Sequence, residues 1–82
     1  MAADVPVAAT MQQRQTTAQL QASTEADLRG INRALSDEEK AMVQQIRAYL
    51  QQSRTADAEG DTQRAYNLAL KAHLLSAELV KR

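Results

Sequence analysis

Two amphipathic segments flank the sequence Glu59-Gly60-Asp61, and their apolar positions are near mirror images about it. Folding the chain at Gly60 pairs residues whose numbers sum to 121 in every case. The pairs are Ala56/Ala65, Ser53/Leu68, Tyr49/Ala72, Ile46/Leu75 and Met42/Leu79. Within each segment these residues are three or four positions apart, which is typical of the buried face of a helix. The constant sum then predicts an antiparallel helical hairpin with a tight turn.

Capping signals set the limits of the two hairpin helices. Ser36 is followed three residues later by Glu39, which is the pattern of a capping box, so we expect a helix over 37–58. Gly60 supplies the left-handed conformation that commonly ends a helix. Asp61 or Thr62 then caps the last helix, which we expect over 62–80.

The N-terminal part of the chain is less regular. Residues 1–23 contain the proline and many glutamines, and we expect a flexible or weakly helical segment there, with a tail over Met1–Thr10. A third, weaker helix is predicted over 24–35. Its apolar stripe consists of Leu28, Ile31 and Leu35. The predicted fold is therefore all-α: a helical domain over 24–82 in which an antiparallel hairpin carries an additional N-terminal helix that packs on it or extends away.

The composition of the 82 residues excludes several classes of function. Ten basic residues balance ten acidic ones without forming a basic stripe, and there are two aromatic residues, so we expect no nucleic-acid binding. The absence of cysteine excludes disulfides, thiolate nucleophiles and zinc fingers. No apolar run approaches the roughly 20 residues that cross a bilayer, so no integral membrane segment is predicted.

The polar residues predict no catalytic, cofactor-binding or metal-binding site. His73 is the only histidine and has no second strong ligand one helical turn away, so a structural or partly exposed role is favoured. Capping explains the acidic run Asp37–Glu39. Asp57, Glu59 and Asp61 lack the twelve-residue pattern of a calcium loop and are interpreted as a solvated acidic turn. Convergence of several His73 copies in a symmetric oligomer is the remaining route to a metal site.

The last helix is the most apolar part of the chain and is the predicted interaction surface. Besides the hairpin face it has a neighbouring face of Tyr66, Leu70, Leu74 and Ala77. One partner helix cannot cover an apolar surface of this width, so a second partner is needed. It is either the N-terminal helix folding back or another chain. The predicted interaction residues are Tyr66, Leu68, Leu70, Leu74, Leu75 and Leu79.

The turn resembles two kinds of known protein. Ala58-Glu59-Gly60-Asp61, followed by Arg64-Ala65, resembles the helix–turn–helix junction of tetratricopeptide repeats, but a single unit cannot form their peptide-binding groove. The run Arg64–Ala72 is similar to that of small alanine-rich two-helix proteins of the bacterial envelope, whose function is unknown and which often follow an export signal. This second resemblance implies a periplasmic or cell-envelope location.

Three functions follow as hypotheses. The favoured one is a non-catalytic structural or scaffolding protein of the bacterial cell envelope that acts by helix–helix association, with a protein partner or as a homo-oligomer. The alternative is a cytoplasmic adaptor whose Tyr66/Leu70/Leu74 face receives an amphipathic helix. An enzyme or metal protein is the third, and it requires His73 copies to converge. An export signal upstream of Ala2 would favour the envelope, and a native start at Met1 would favour the cytosol.

Overall fold

A computed structural model describes residues 7–82 of the chain, with side chains from Ala9 onward, as three helices. They are α1 (Val7–Arg29), α2 (Asp37–Ala58) and α3 (Thr62–Lys81), and no strand occurs among these residues. Helix α3 is central, because it packs against both α2 and α1. The predicted all-α hairpin with an N-terminal helix is confirmed. No helix in the described part of the chain combines the length and apolarity needed to cross a membrane.

The core lies between the two hairpin helices and is closed at one end by α1. Ile46, Leu50, Ala72 and Leu79 form its buried cluster, and Ile46, Ala72 and Leu79 have no exposed surface. Residues from all three helices and the α1–α2 connection pack around it. These surrounding residues are Leu28, Ile31, Met42, Val43, Tyr49 and Leu75.

Two side-chain contacts across the hairpin fall within one residue of the predicted pairing. The Lys71 ammonium lies 5.9 Å from the centre of the Tyr49 ring, and Arg82 Nη1 lies 3.4 Å from Glu38 Oε1. Close to the turn the partners are small, and Ala56 and Ala65 are both buried. Small side chains there let the helices approach closely, as the spacing predicts.

The turn between α2 and α3 is a Schellman motif. Gly60 has φ 79°, its N–H donates to the Asp57 carbonyl at 3.0 Å, and the Asp61 N–H donates to the Ala56 carbonyl at 2.9 Å. The Asp61 carboxylate then accepts from the Arg64 N–H at 3.2 Å and caps α3. The predicted end of one helix and the start of the next are therefore confirmed.

A clamp of three side chains joins the α1–α2 connection to both hairpin helices. Ser36 and Glu39 form the predicted capping box, with hydrogen bonds of 3.1 and 3.0 Å. Arg33 donates to both carboxylate oxygens of Glu39, at 3.1 and 2.9 Å, and its Nη2 lies 3.4 Å from the Leu79 carbonyl at the end of α3. The hydrogen bonds from Arg33 and then from the Ser36 backbone lower the pKa of Glu39 to about 2.

Helix α1 ends earlier than the sequence predicts. The predicted helix over 24–35 is wrong at its C-terminal end, because α1 stops at Arg29 and residues 31–36 are not helical. The Gly30 N–H still donates to the Ala26 carbonyl at 2.9 Å, whereas the Ile31 N–H reaches back only three residues. Glycine costs about 1 kcal/mol in a helix relative to alanine, and the capping box restarts the helix at Asp37.

Helix α1 also begins earlier than predicted. It runs from Val7, so residues 7–23, predicted to be flexible or weakly helical, form most of it. The predicted tail over Met1–Thr10 is wrong for residues 7–10, which are helical, and its residues 1–6 lie outside the described residues. Thr17 and Thr24 in this helix are fully buried. Their hydroxyls donate to carbonyls one turn back, at 2.9 and 2.7 Å, so only their methyl groups need packing partners.

Helix α1 is parallel to α3 and antiparallel to α2. Gln13 hydrogen-bonds Gln63 near the start of both α1 and α3, and Asp27 contacts Ser76 near their ends. The N-terminal helix therefore folds back onto the hairpin, which was one of the two candidates for covering α3.

Candidate interaction surfaces

A row of apolar side chains runs along the outer side of α3. Tyr66, Leu70, Leu74 and Ala77 are spaced by four, four and three residues, and we call them the α3 row. Leu74 exposes 60% of its surface, and the other three are half-buried. Spacings of three and four keep side chains in line along a helix, so the four form one continuous strip.

The direction of Leu74 follows from helix geometry. It lies two positions from Ala72 and two from Ser76, and both of these residues are fully buried. Two residues correspond to about 200° of rotation around a helix, so Leu74 points away from the face that packs on α1 and α2. Its exposure is therefore imposed by the fold and not by fraying at a chain end.

The six predicted interaction residues divide into an inner and an outer set. Leu79 is fully buried, Leu68 is 8% exposed, and Leu75 packs against the core cluster. These three leucines hold the three helices of one chain together. Tyr66, Leu70 and Leu74 are the part of the predicted set that remains on the surface.

His73 is half-buried beside the α3 row. Its Nδ1 atom is buried and has no hydrogen-bond partner within the part of the chain that the structure describes. The backbone carbonyl oxygen of His73 lies 2.9 Å from the Ser76 hydroxyl oxygen. Among residues 7–82, no three histidine or acidic side chains come close enough together to hold a metal ion.

A groove of about 340 Å³ separates α1 from α2 and is a second surface feature. Sequence reasoning missed it, because its arginines come from two different helices and meet only in the folded chain. A partial signal exists in α2, where Arg47, Leu50 and Arg54 are spaced to share one face. The groove is lined by Glu25, Leu28, Arg29, Arg47, Leu50, Gln51 and Arg54.

The ion pairs at this groove leave two arginines uncompensated. Glu25 and Arg29 are four residues apart, a spacing that favours an ion pair within a helix, but the Glu25 carboxylate pairs with Arg54 of α2 instead. Within the described residues, neither Arg29 nor Arg47 has a carboxylate at ion-pair distance. Guanidinium groups therefore stand on both walls of the groove with one carboxylate among them.

No protein-family model, curated protein or solved structure matches this chain.

Proposed function

We propose that this chain is a non-catalytic helical module that associates with a second helical chain through the α3 row. The observation that carries the proposal is the exposure of Leu74, a large apolar side chain in the fourth turn of a well-packed helix. Single exposed leucines are common on protein surfaces. Leu74, however, continues a row with Tyr66 and Leu70, and contiguous apolar strips are typical of interaction sites.

The surroundings of the α3 row suit a helical partner. An amphipathic helix presents apolar side chains at the same three- and four-residue spacing and can interdigitate with the row. Tyr66 adds a large apolar ring with a polar tip, a composition that is common in interfaces. The exposed polar side chains Asn67, Lys71 and Glu78 flank Leu74 on α3 and would form the polar rim of such a contact.

A second copy of the chain is the partner we propose first. The same strip is then present on both partners, and an antiparallel pairing of two α3 helices would bury both Leu74 side chains in one symmetric contact. The scaffolding role follows from this self-association. An adaptor that binds an amphipathic helix of another protein would use the same strip.

The cell envelope is the location we propose, on the resemblance of the Arg64–Ala72 run to small envelope proteins. Fractionation of cells expressing the full-length gene tests this location. Recovery with the periplasm or envelope supports it, and recovery only in the cytosol favours the adaptor.

Sedimentation equilibrium of the purified chain over a wide concentration range tests the association. We expect a concentration-dependent oligomer that Leu74→Gln weakens strongly. Met11→Gln is the matched control, because Met11 exposes 61% of its surface on α1 and is not part of the row. Equal weakening by both variants would mean that the α3 row is not the contact. A monomer at every concentration would exclude self-association and leave only a foreign helix as partner.

A further inference from the structure

The geometry points to the groove between α1 and α2 as a binding site for an anionic amphiphile, and we propose a ligand with one oxyanion group and a short apolar tail. The site lies on the two helices that do not carry the α3 row. It is therefore independent of the helix–helix association proposed above.

The charge of the groove favours an anion. Arg29 comes from the end of α1, whereas Arg47 and Arg54 come from the facing side of α2. Glu25 pairs with Arg54, so the groove retains an excess of positive charge in a chain whose net charge is zero. Like charges on the two walls repel each other, and an anion between them would relieve that repulsion.

The chemistry of the side chains specifies the headgroup. A guanidinium presents several N–H donors in a planar fork that matches two oxygens of a phosphate, sulfate or carboxylate. Arg29 and Arg47 are both exposed and neither is held by an acidic side chain among residues 7–82. Their donors are therefore available to an oxyanion bound in the groove.

Two leucines, Leu28 and Leu50, line the groove among its polar residues and account for the tail. Leu50 is 4% exposed and belongs to the core cluster, while Leu28 is half-buried beside it. The volume of about 340 Å³ lies at the lower end of the range for small-molecule sites, roughly 300–1,000 Å³. A single short alkyl chain fits this volume, whereas two long acyl chains do not.

An NMR titration of the full chain with n-octyl phosphate, kept below its micelle concentration, tests the proposal. We expect saturable shifts of the Leu28 and Leu50 methyl groups and of the arginine Nε–H groups at the groove. Uncharged octyl glucoside should not produce the arginine shifts. Inorganic phosphate should bind more weakly than octyl phosphate, because it leaves the two leucines uncovered.

Two arginine variants test whether octyl phosphate binding depends on the arginines of the groove. Arg47→Gln should weaken octyl phosphate binding about tenfold, the value expected for one lost charge-assisted hydrogen bond. Arg14→Gln is the control, since Arg14 is exposed on α1 about three turns before Glu25 and does not line the groove. It should leave the affinity within about twofold. Circular dichroism establishes that both variants keep the helical fold.

Several outcomes would overturn the site. One is the absence of saturable shifts with octyl phosphate, and another is equal weakening by the two arginine variants. Equal affinity for phosphate and octyl phosphate would remove the apolar tail from the proposal. Vesicles containing phosphatidylglycerol separate a lipid surface from a free amphiphile. Binding to the vesicles without binding of monomeric octyl phosphate would make this face a membrane contact and would exclude the groove as the site.

Discussion

The carboxylate of Asp27 in α1 accepts a hydrogen bond of 3.0 Å from the fully buried hydroxyl of Ser76 in α3. This bond lies where the N-terminal helix meets the hairpin, close to the end of both helices. The Ser76 hydroxyl also approaches the His73 carbonyl of its own helix at 2.9 Å. Asp27 is thus the hydrogen-bond partner that α1 supplies to the buried Ser76 hydroxyl. Without α1, that hydroxyl would have a partner only within α3.

Replacing Asp27 by alanine should destabilise the contact between α1 and α3. We expect a loss of about 1–2 kcal/mol in the free energy of unfolding, because the lost bond has a charged acceptor but Ser76 keeps its local partner. Urea denaturation measures this change. Asp27→Asn retains an acceptor oxygen and should lose less. Equal losses for the two variants would mean that the hydrogen bond to Ser76 does not matter.

The clamp at Glu39 makes the stability depend on pH. The pKa of Glu39 is about 2 in the folded chain, against an ordinary value of 4.5. Because the folded value is the lower one, the stabilisation is fully present above pH 4.5 and is lost as the pH falls toward 2. Urea unfolding midpoints should therefore decrease over this window, and the decrease should be smaller in Glu39→Gln.

Glu78→Gln is the control for this pH series, since Glu78 is an exposed carboxylate outside the three ion pairs of the described residues. Its unfolding midpoints should follow those of the unmodified chain at each pH. If Glu39→Gln shows the same pH dependence as Glu78→Gln, the clamp is not the cause of the acid sensitivity.

Truncation of leucines along α3 should separate its inner and outer faces. Leu79→Ala should lower the free energy of unfolding by about 2–5 kcal/mol, because Leu79 is fully buried in the core cluster. Leu75→Ala should cost less, since Leu75 is half-buried. Leu74→Ala should change the stability of the monomer by less than about 0.5 kcal/mol. Calorimetry at protein concentrations too low for association measures these three changes. A different order of destabilisation would mean that α3 turns other residues toward the core.

The turn offers a test of backbone conformation free of packing effects. Gly60 has φ 79°, and a Cβ atom placed there meets no other atom within 4 Å. Gly60→Ala should therefore cost about 1–2 kcal/mol through the left-handed conformation alone. Gly60→Asn should cost less, because asparagine tolerates this conformation better. Thermal unfolding of the two variants compares them, and equal stabilities would contradict this explanation.

The hairpin was predictable from the sequence because its determinants are local. The capping box at Ser36 and Glu39, the glycine at 60 and the regular apolar spacing each fix their own part of the backbone. Folding the chain at Gly60 then gives, for each apolar residue of one helix, the residue that it faces on the other. Two contacts across the hairpin lie within one residue of the predicted pairing, whereas the Ser53 hydroxyl reaches the Ala65 carbonyl and not its predicted partner.

Helix α1 was predicted as a defined helix only from residue 24 because its packing face is polar. Thr17 and Thr24 occupy buried positions seven residues apart, and Ile31 follows at the same spacing. The threonines satisfy their own hydroxyls within the helix and behave as small apolar groups, which a search for leucine and isoleucine does not register.

The groove could not be anticipated because its residues meet only in the folded chain. Arg29 and Arg47 lie on different helices, and the spacing of Glu25 and Arg29 favours a pairing that does not form. The structure also corrects the interpretation of Asp57 as part of a solvated acidic turn, because this residue is half-buried at the end of α2. Its carboxylate accepts a hydrogen bond of 3.2 Å from the Gln21 amide of α1.

The parallel alignment of α1 and α3 has a consequence for the order of folding. The hairpin closes through a turn of three residues, whereas docking α1 along α3 joins residues about fifty positions apart in the chain. Closing the longer loop costs more chain entropy, and α1 contributes no residue to the buried core cluster. We therefore expect the hairpin to form first and α1 to dock last, as a separately opening unit whose amide hydrogens exchange with solvent before those of α2 and α3.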